Sequence, residues 1–324
     1  MKILRFALIG LILALSSCEN SANQNGYLLK SLGNINTLQV IIENDLWNGE
    51  VGEEIRNYFA APVDGLPQDE PLFSMNQMPP STYTDFARKY RTFLHVTIGD
   101  STGVAIKTNP YAKPQTGAFI VGKDAEDIKR LLEKNYQQII TAFKASEIKE
   151  KQRRIKISLK KTDSLKKHFG VSLRVPSAYR TALANEDFIW YRKALKSGET
   201  NIIVYEVPIG LIRSDSTSVA DITKIRDSIG GDYMPVEEGG RFITEAAYAP
   251  YIFKTNIDGH FAYETKGIWE VKTQFMGGPF INYAVRDSVN NRYLIIEGFV
   301  YAPATGKRDL QFELEAILRS LKFE

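Results

Sequence analysis

The sequence predicts an α+β protein: two α/β modules, antiparallel sheets covered by helices, joined by a long basic helix. Three observations carry this reading. Strand-like segments cluster late in the chain, with Asp258-Gly259 and Asn290-Asn291 between pairs of them as hairpin signals. Apolar residues at three- and four-residue steps mark a long helix after Asp124 and another near the C-terminus. Strands gathered together, with helices at the ends, form the α+β arrangement.

Residues 1–17 stand apart from these modules. Lys2 and Arg5 open an apolar run that ends at Leu15, followed by two serines. This is the layout of a secretory signal, and its core is too short to span a bilayer. Leu15-Ser16-Ser17-Cys18 resembles the bacterial lipobox, an aliphatic residue and two small ones before a cysteine. The resemblance implies a diacylglycerol on the Cys18 thiol, cleavage just before it, and acylation of the new amine. Cys18 is the only cysteine, so no disulfide forms within the mature chain. Residues 18–26 are small and polar and read as a tether. The eight residues after Cys18 reach about 28 Å at roughly 3.5 Å each. The expected location is the outer membrane, lipid-anchored. Lipoproteins of Bacteroidetes-type bacteria that are sent to the surface resemble one another in acidic residues after the cysteine. The lone Glu19 matches that poorly and favours the periplasmic face.

About 300 residues remain after cleavage, enough for two domains, expected at residues 27–168 and 169–324. Loss of Lys2 and Arg5 takes the formal charge from +3 to +1, which leaves no electrostatic footprint for nucleic acid. No nucleic-acid partner and no cofactor are expected. The expected partners are the membrane, through the anchor, and an envelope protein or glycan.

In the first module, Leu38-Gln39-Val40-Ile41-Ile42 reads as a buried strand. A turn around Trp47 leads to a short helix with Val51, Ile55, Tyr58 and Phe59 on one face. Residues 61–73 carry three prolines and Gly65, which forbid a helix, yet Leu66, Leu72 and Phe73 call for burial. An ordered, packed loop is expected there. Residues 91–98 and 117–121 read as strands. The helix after Asp124 is expected to run through Arg154. From Lys144 to Lys167 there are ten Lys and Arg against three acids, either a solvated helix face or a patch for an acidic surface.

In the second module, residues 169–176, 188–191 and 201–207 read as strands and residues 219–229 as a helix. Further strands are expected at 251–257, 262–265, 269–274, 280–286 and 293–300. A closing helix puts Leu310, Leu314, Ile317, Leu318 and Leu321 on one face. The order of elements is similar to the α/β/α sandwich of PsbP and Mog1-like proteins.

Several stretches together resemble a lipoprotein family of Bacteroidetes-type bacteria, domain-of-unknown-function family 4837. They include Leu46-Trp47-Asn48-Gly49, residues 65–73, Tyr111-Ala112-Lys113-Pro114-Gln115, Phe188-Ile189-Trp190, Met276-Gly277-Gly278-Pro279-Phe280 and residues 298–303. The resemblance implies a lipoprotein but brings no catalytic residues. The binding candidates are Trp47, Gln68, Glu70, Gln115, Trp269, Gly277 and Gly278. Gly277 and Gly278 allow close backbone approach, either as a corner between strands or as a groove with Trp269. Asp69 and Glu70 are adjacent carboxylates, better placed to cap or pair than to face each other across a cleft.

His95, His168 and His260 have no metal-ligand spacing, and no metal site is expected. There is no Gly-x-Ser-x-Gly elbow and no phosphate-binding glycine loop. The expected function is a membrane-anchored cell-envelope lipoprotein acting as a non-catalytic binding or assembly module. The alternative is an envelope hydrolase with a non-local active site, gathering titratable groups near Glu70, His95 or His260. A recurring Asp-Ser pair followed by a methyl-bearing residue resembles the O-glycan acceptor of exported proteins in Bacteroidetes-type bacteria. It marks Ser101, Ser164, Ser216 and Ser288, and more weakly Ser228 inside a helix. Turn formation and helix capping also explain the pair.

Overall fold

A computed structural model describes residues 28–213, 216–234, 236 and 239–324. The expected signal and tether, with Cys18, lie outside the described residues. In the first half, the sheet is built from β1 (Thr37–Ile41), β2 (Ser74–Met78), β3 (Thr92–Ile98), β4 (Gly103–Thr108) and β5 (Thr116–Gly122). Their order is β2-β1-β3-β5-β4. The β2–β1, β1–β3 and β3–β5 pairings are parallel, and only the β4–β5 hairpin is antiparallel.

The α+β class holds, but this first sheet corrects the expectation of antiparallel strands throughout. Helices α1 (Asn44–Asn48) and α2 (Glu50–Phe59) carry the chain back between β1 and β2, so those two strands run the same way. Burial on both faces explains the near-continuous apolar run of β1.

Helix α3 (Ala125–Ile155) begins as expected, with Asp124 as its N-cap accepting a hydrogen bond from the Asp127 amide at 2.8 Å. Ile128, Leu132, Ile139 and Phe143 lie against the first sheet, beside Val51, Ile55 and Phe59 of α2. A buried ion pair fixes its far end. Arg91 Nε meets Glu147 Oε1 at 2.6 Å, and the same carboxylate accepts from Asn36 N at 2.8 Å and Thr92 Oγ1 at 3.0 Å. Every lone-pair direction facing the protein is occupied, as a buried charge requires.

The second half is one antiparallel sheet: β6 (Arg180–Ala184), β7 (Phe188–Leu195), β8 (Gly198–Pro208), β9 (Ile243–Thr244), β10 (Tyr251–Ile257), β11 (His260–Val271), β12 (Met276–Asp287) and β13 (Arg292–Tyr301). The order is β9-β11-β12-β13-β8-β7-β6, with β10 on the remaining edge of β11. Asp258 and Gly259 form the expected hairpin, both with positive φ, 50° and 84°. Two expected strands, 262–265 and 269–274, are one: β11 runs unbroken to Val271, and residues 272–274 form a 3-10 turn. Residues 169–176 hold only a two-residue strand, Val171–Ser172, paired with Lys322–Phe323. Leu173 and Val175 are still buried, so their apolar character reports core packing rather than a ladder.

Helices cover both faces of this sheet. On one face lie α6 (Arg308–Leu318) and α4 (Asp163–Phe169), with Leu314, Ile317, Leu165 and Phe169 against Ile202, Ile281 and Ile296. On the other lies α5 (Ser218–Tyr233), with Ile222 and Phe242 against Ile203, Phe280 and Ile295. Helix α4 thus packs in the second core, so the change of core falls near Ile155 rather than at Phe169.

The proline-rich loop joins the halves. Phe73 is buried, while Leu66 and Leu72 are half-buried. Gly65 has φ +77° and lies so near β11 that an added Cβ would stand 2.9 Å from Lys266 Cβ. Only glycine meets both conditions. Gly65→Ala is expected to cost about 1–3 kcal/mol of stability. Gly103→Ala, whose added methyl meets nothing within 4 Å, is expected to stay within about 0.5 kcal/mol. Urea unfolding of the two variants checks the difference.

Candidate functional site

Helix α6 starts without a side-chain cap of its own. Its first amides are taken instead by Glu70 of the proline-rich loop: Lys307 N donates to Oε1 at 2.6 Å and Arg308 N to Oε2 at 3.1 Å. A carboxylate at a helix N-terminus also meets the positive end of the dipole. Arg308 Nη1 returns to the loop, donating to Pro71 O at 2.9 Å and Ser74 Oγ at 3.1 Å. Further along, α3 lies against α6. Lys151 Nζ pairs with Glu313 at 2.6 Å, Lys193 pairs with the same carboxylate, and Gln152 Nε2 donates to Ala316 O at 2.9 Å.

Between α3 and the second half opens a cleft of about 470 Å³, walled by Thr141, Lys144, Ile148, Glu264, Glu315 and Arg319. A chamber of about 30 Å³ shares Lys144 and Glu315 with it and adds Asn36, Lys266 and Gln311. The charges on the β11 side are held in fixed geometry. Arg319 donates from Nε to Glu315 at 3.1 Å and from Nη2 to Glu264 at 2.7 Å, and Lys266 Nζ lies 2.9 Å from Glu264.

Burial pushes the Glu315 carboxyl up, but Lys266, Lys144 and Arg319 outweigh it and hold it below the ordinary value. Burial pulls Lys266 down, and Glu315 with Glu264 outweigh that and raise it. Glu315 and Lys266 are therefore both charged at neutral pH. Lys144 and Lys149, on the α3 wall, make no ion pair among the described residues. Gln311 is 4% exposed, and neither its amide nitrogen nor its amide oxygen finds a partner among the described residues. A buried amide left in this state is costly, so it marks a place where a bound group would be rewarded.

A second groove, about 490 Å³, gathers three of the sequence candidates: Trp269, Gly277 and Gly278, with Pro67 beside the exposed Gln68. Trp269 is itself buried, stacked on Phe242 at 4.9 Å and donating to Val300 O at 3.1 Å. A Cβ on Gly278 would stand 2.0 Å from Val300 O, so the glycine is required by strand packing. Phe275 at the groove's end is fully exposed. Burial and then the Glu245 carboxylate raise Glu270, while the Ala247 amide lowers Glu245.

The remaining candidates do other work. Trp47 is half-buried under Arg56, whose guanidinium sits 4.8 Å above the ring. Gln115 is buried; its amide donates to Arg88 O and Tyr90 O, each at 2.7 Å, and accepts from Tyr111 N and Ala112 N. That leaves no side-chain capacity for a ligand. Glu70 caps α6. His95 packs among Tyr83 and Phe119, and His260 stacks on Phe323 at 4.1 Å, so neither joins Glu70.

Ser101, Ser216, Ser228 and Ser288 are exposed, and Ser164 is half-buried against the Tyr191 hydroxyl. Asp287 ends β12 and accepts from Asn290 N of the following turn and from Arg292 Nε. The sequence reading saw Lys144 only as the start of the basic run and missed Lys266, Gln311, Glu315 and Arg319. Gln311 and Glu315 on α6 and Arg319 at its C-cap recur every four residues, but nothing in that spacing distinguishes a buried polar stripe from a solvated one.

Residues 158–320 match the family described as Domain of unknown function (DUF4837), half of the chain. The chain belongs to the DUF4837 family. In this DUF4837 protein the preceding residues 31–156 match a second family, Domain of unknown function (DUF8532). That match takes in the stretches at 46–49, 65–73 and 111–115 that were expected to belong to family 4837, and the two matches meet at the end of α3. No curated protein matches the chain. Among solved structures, it is similar to the Ran-binding protein Mog1p of Saccharomyces cerevisiae, at 10% identity and TM-score 0.33, over 48% of this chain and 90% of that one. Human StAR-related lipid transfer protein 5 is similar at 7% identity and TM-score 0.23, over 54% of this chain and 93% of that one.

The Glu313 carboxyl, raised by burial, is brought below its ordinary value of 4.5 by Lys151 and Lys193. A depressed carboxylate gives stability that is present above its unfolded pKa and lost as pH falls through the folded one. The protein is therefore expected to lose stability as pH drops below about 4.5. Glu313→Gln is expected to cost about 1–3 kcal/mol at neutral pH and to flatten that acid dependence. Thermal unfolding across an acid pH series reads both effects.

Proposed function

We propose that this DUF4837 protein is a lipid-anchored envelope protein that binds a small acidic ligand in the cleft between its halves. The observation that carries the ligand reading is the buried, unpartnered amide of Gln311 in the chamber beneath a cleft whose α3 wall holds two cations without ion pairs. A cleft of about 470 Å³ at a junction of two cores has the size and position of small-molecule sites. The ligand carries a carboxylate or phosphate toward Lys144 and Lys149, and a group complementary to an amide toward Gln311. The reading is of a binding site: Glu70 caps α6, and His95 and His260 pack against aromatic rings.

Anchoring rests on the lipobox-like Leu15-Ser16-Ser17-Cys18. It fits a chain whose described residues contain no helix long and apolar enough to cross a membrane. The anchor holds the protein on the periplasmic face of the outer membrane. Cys18→Ala is expected to leave the protein unprocessed or soluble on fractionation. A mature-size variant that still needs detergent for release contradicts the anchor.

For the ligand, glutamate, citrate and inorganic phosphate serve as probes of purified protein. At least one is expected to raise the melting temperature by about 3–8 °C at saturation. Gln311→Leu and Lys144→Gln are expected to abolish that rise while remaining folded. No response from the unaltered protein, or equal responses from the variants, contradicts the cleft as the site.

A further inference from the structure

The described chain begins at Leu28, ten residues after Cys18, and that distance is at most about 35 Å. Whatever surface surrounds Leu28 is thus held near the bilayer, on the reading that Cys18 is acylated. The exit point is fixed in the fold. Leu29–Lys30 pairs in parallel with Ala112–Lys113, and Ser31 N donates to Lys113 O at 3.2 Å. The C-terminal end of α3 comes to the same place, with Arg154 Nη2 donating to Gly33 O at 3.3 Å.

These segments enclose an open groove of about 630 Å³, lined by residues 30–33, Lys113, Pro114, Glu150, Arg153, Arg154 and Ile157. Four cations stand there against one carboxylate. Burial raises the Glu150 carboxyl, but hydrogen bonds from Arg153 and Arg154 outweigh it and bring it to about 2. Lys30 and Lys113 are exposed and make no ion pair among the described residues. Apolar side chains crown the same rim: Ile157 is 82% exposed, Leu29 49% and Leu28 40%. Single exposed apolar residues are ordinary. Three of them, interleaved with cations at the point where the chain leaves for its anchor, form the mixture that suits a headgroup layer.

We propose that this face, centred on Lys30, Lys113, Arg153 and Ile157, docks on the anionic headgroups of the membrane that holds the anchor. Ile157 and Leu29 enter the headgroup region, and the cations meet lipid phosphates. Docking then sets the orientation of the protein and of the ligand cleft, since the C-terminal turns of α3 line both groove and cleft. The proposal rests on acylation of Cys18, and its test separates the two.

The mature lipoprotein with Ile157→Cys carries one free thiol, since Cys18 is acylated, and takes an environment-sensitive fluorophore there. It is reconstituted into vesicles of phosphatidylethanolamine with phosphatidylglycerol, and separately of phosphatidylcholine alone. The label is expected to shift to the blue and to be quenched by headgroup-spin-labelled lipid in the anionic vesicles only. Each cation near an anionic surface is worth about a five-fold change in partition, so Lys30→Gln with Lys113→Gln is expected to weaken docking about twenty-five-fold. A label that stays water-exposed while the protein floats with both vesicles overturns the docking face and leaves the anchor standing. A protein that floats with neither vesicle contradicts the anchor and overturns the docking proposal with it.

Discussion

The structure depends on one carboxylate. Glu70 lies 237 residues before Lys307, yet it accepts the amide that opens α6. Without it the helix would begin with unsatisfied donors, at a cost of about 0.5–2 kcal/mol. The larger consequence is positional. Of the second-half residues around the cleft and its chamber, Gln311, Glu315 and Arg319 ride on α6 or its end, while Glu264 and Lys266 stand on β11. Where α6 begins therefore decides whether the first three face α3. The proline-rich loop is the clamp. Gly65 lets it lie on β11, Glu70 caps α6, and Pro71 with Ser74 holds Arg308.

This arrangement makes α3 the shared element of the molecule. One face belongs to the first core, through Ile128, Leu132, Ile139 and Phe143. Another meets α6 through Lys151 and Gln152. Lys144 and Lys149 point to the cleft, and Arg153 and Arg154 to the groove beside the chain's exit. The basic composition of this stretch, which in sequence reads equally as a solvated face, is thus divided among an interface, a cavity wall and an exposed surface.

Much of the fold was legible where local signals dominate. Asp124 and the apolar period announced α3, and Asp258-Gly259 announced its hairpin, because capping and turn chemistry lie within four residues. Strand direction in the first sheet was not legible, because it follows from the crossover made by α1 and α2. The edge strand β2 escaped notice because its Ser, Asn and Gln carry no apolar period, and β4 because it is short, largely exposed and opens on a glycine. Residues 169–176 looked like a strand because apolar residues that fill a core and those that form a ladder read alike. At the site, Gly277, Gly278 and Trp269 did converge, whereas Gln115 proved to be the hub of a loop. A polar residue in a turn-rich stretch gives the same signal whether it serves a ligand or its own backbone. Gln311 gave none, since its burial comes from contacts across the two halves.

Amide hydrogen exchange in α6 tests the clamp most directly. If Glu70 sets the start of α6 and through it the cleft, Glu70→Ala should speed exchange at Lys307 and Arg308 by about tenfold. The same variant should loosen amides along α3 near Lys151, while α5 on the far face stays protected. Unchanged protection at Lys307 and Arg308 would contradict the account, because the helix would then be holding its own N-terminus.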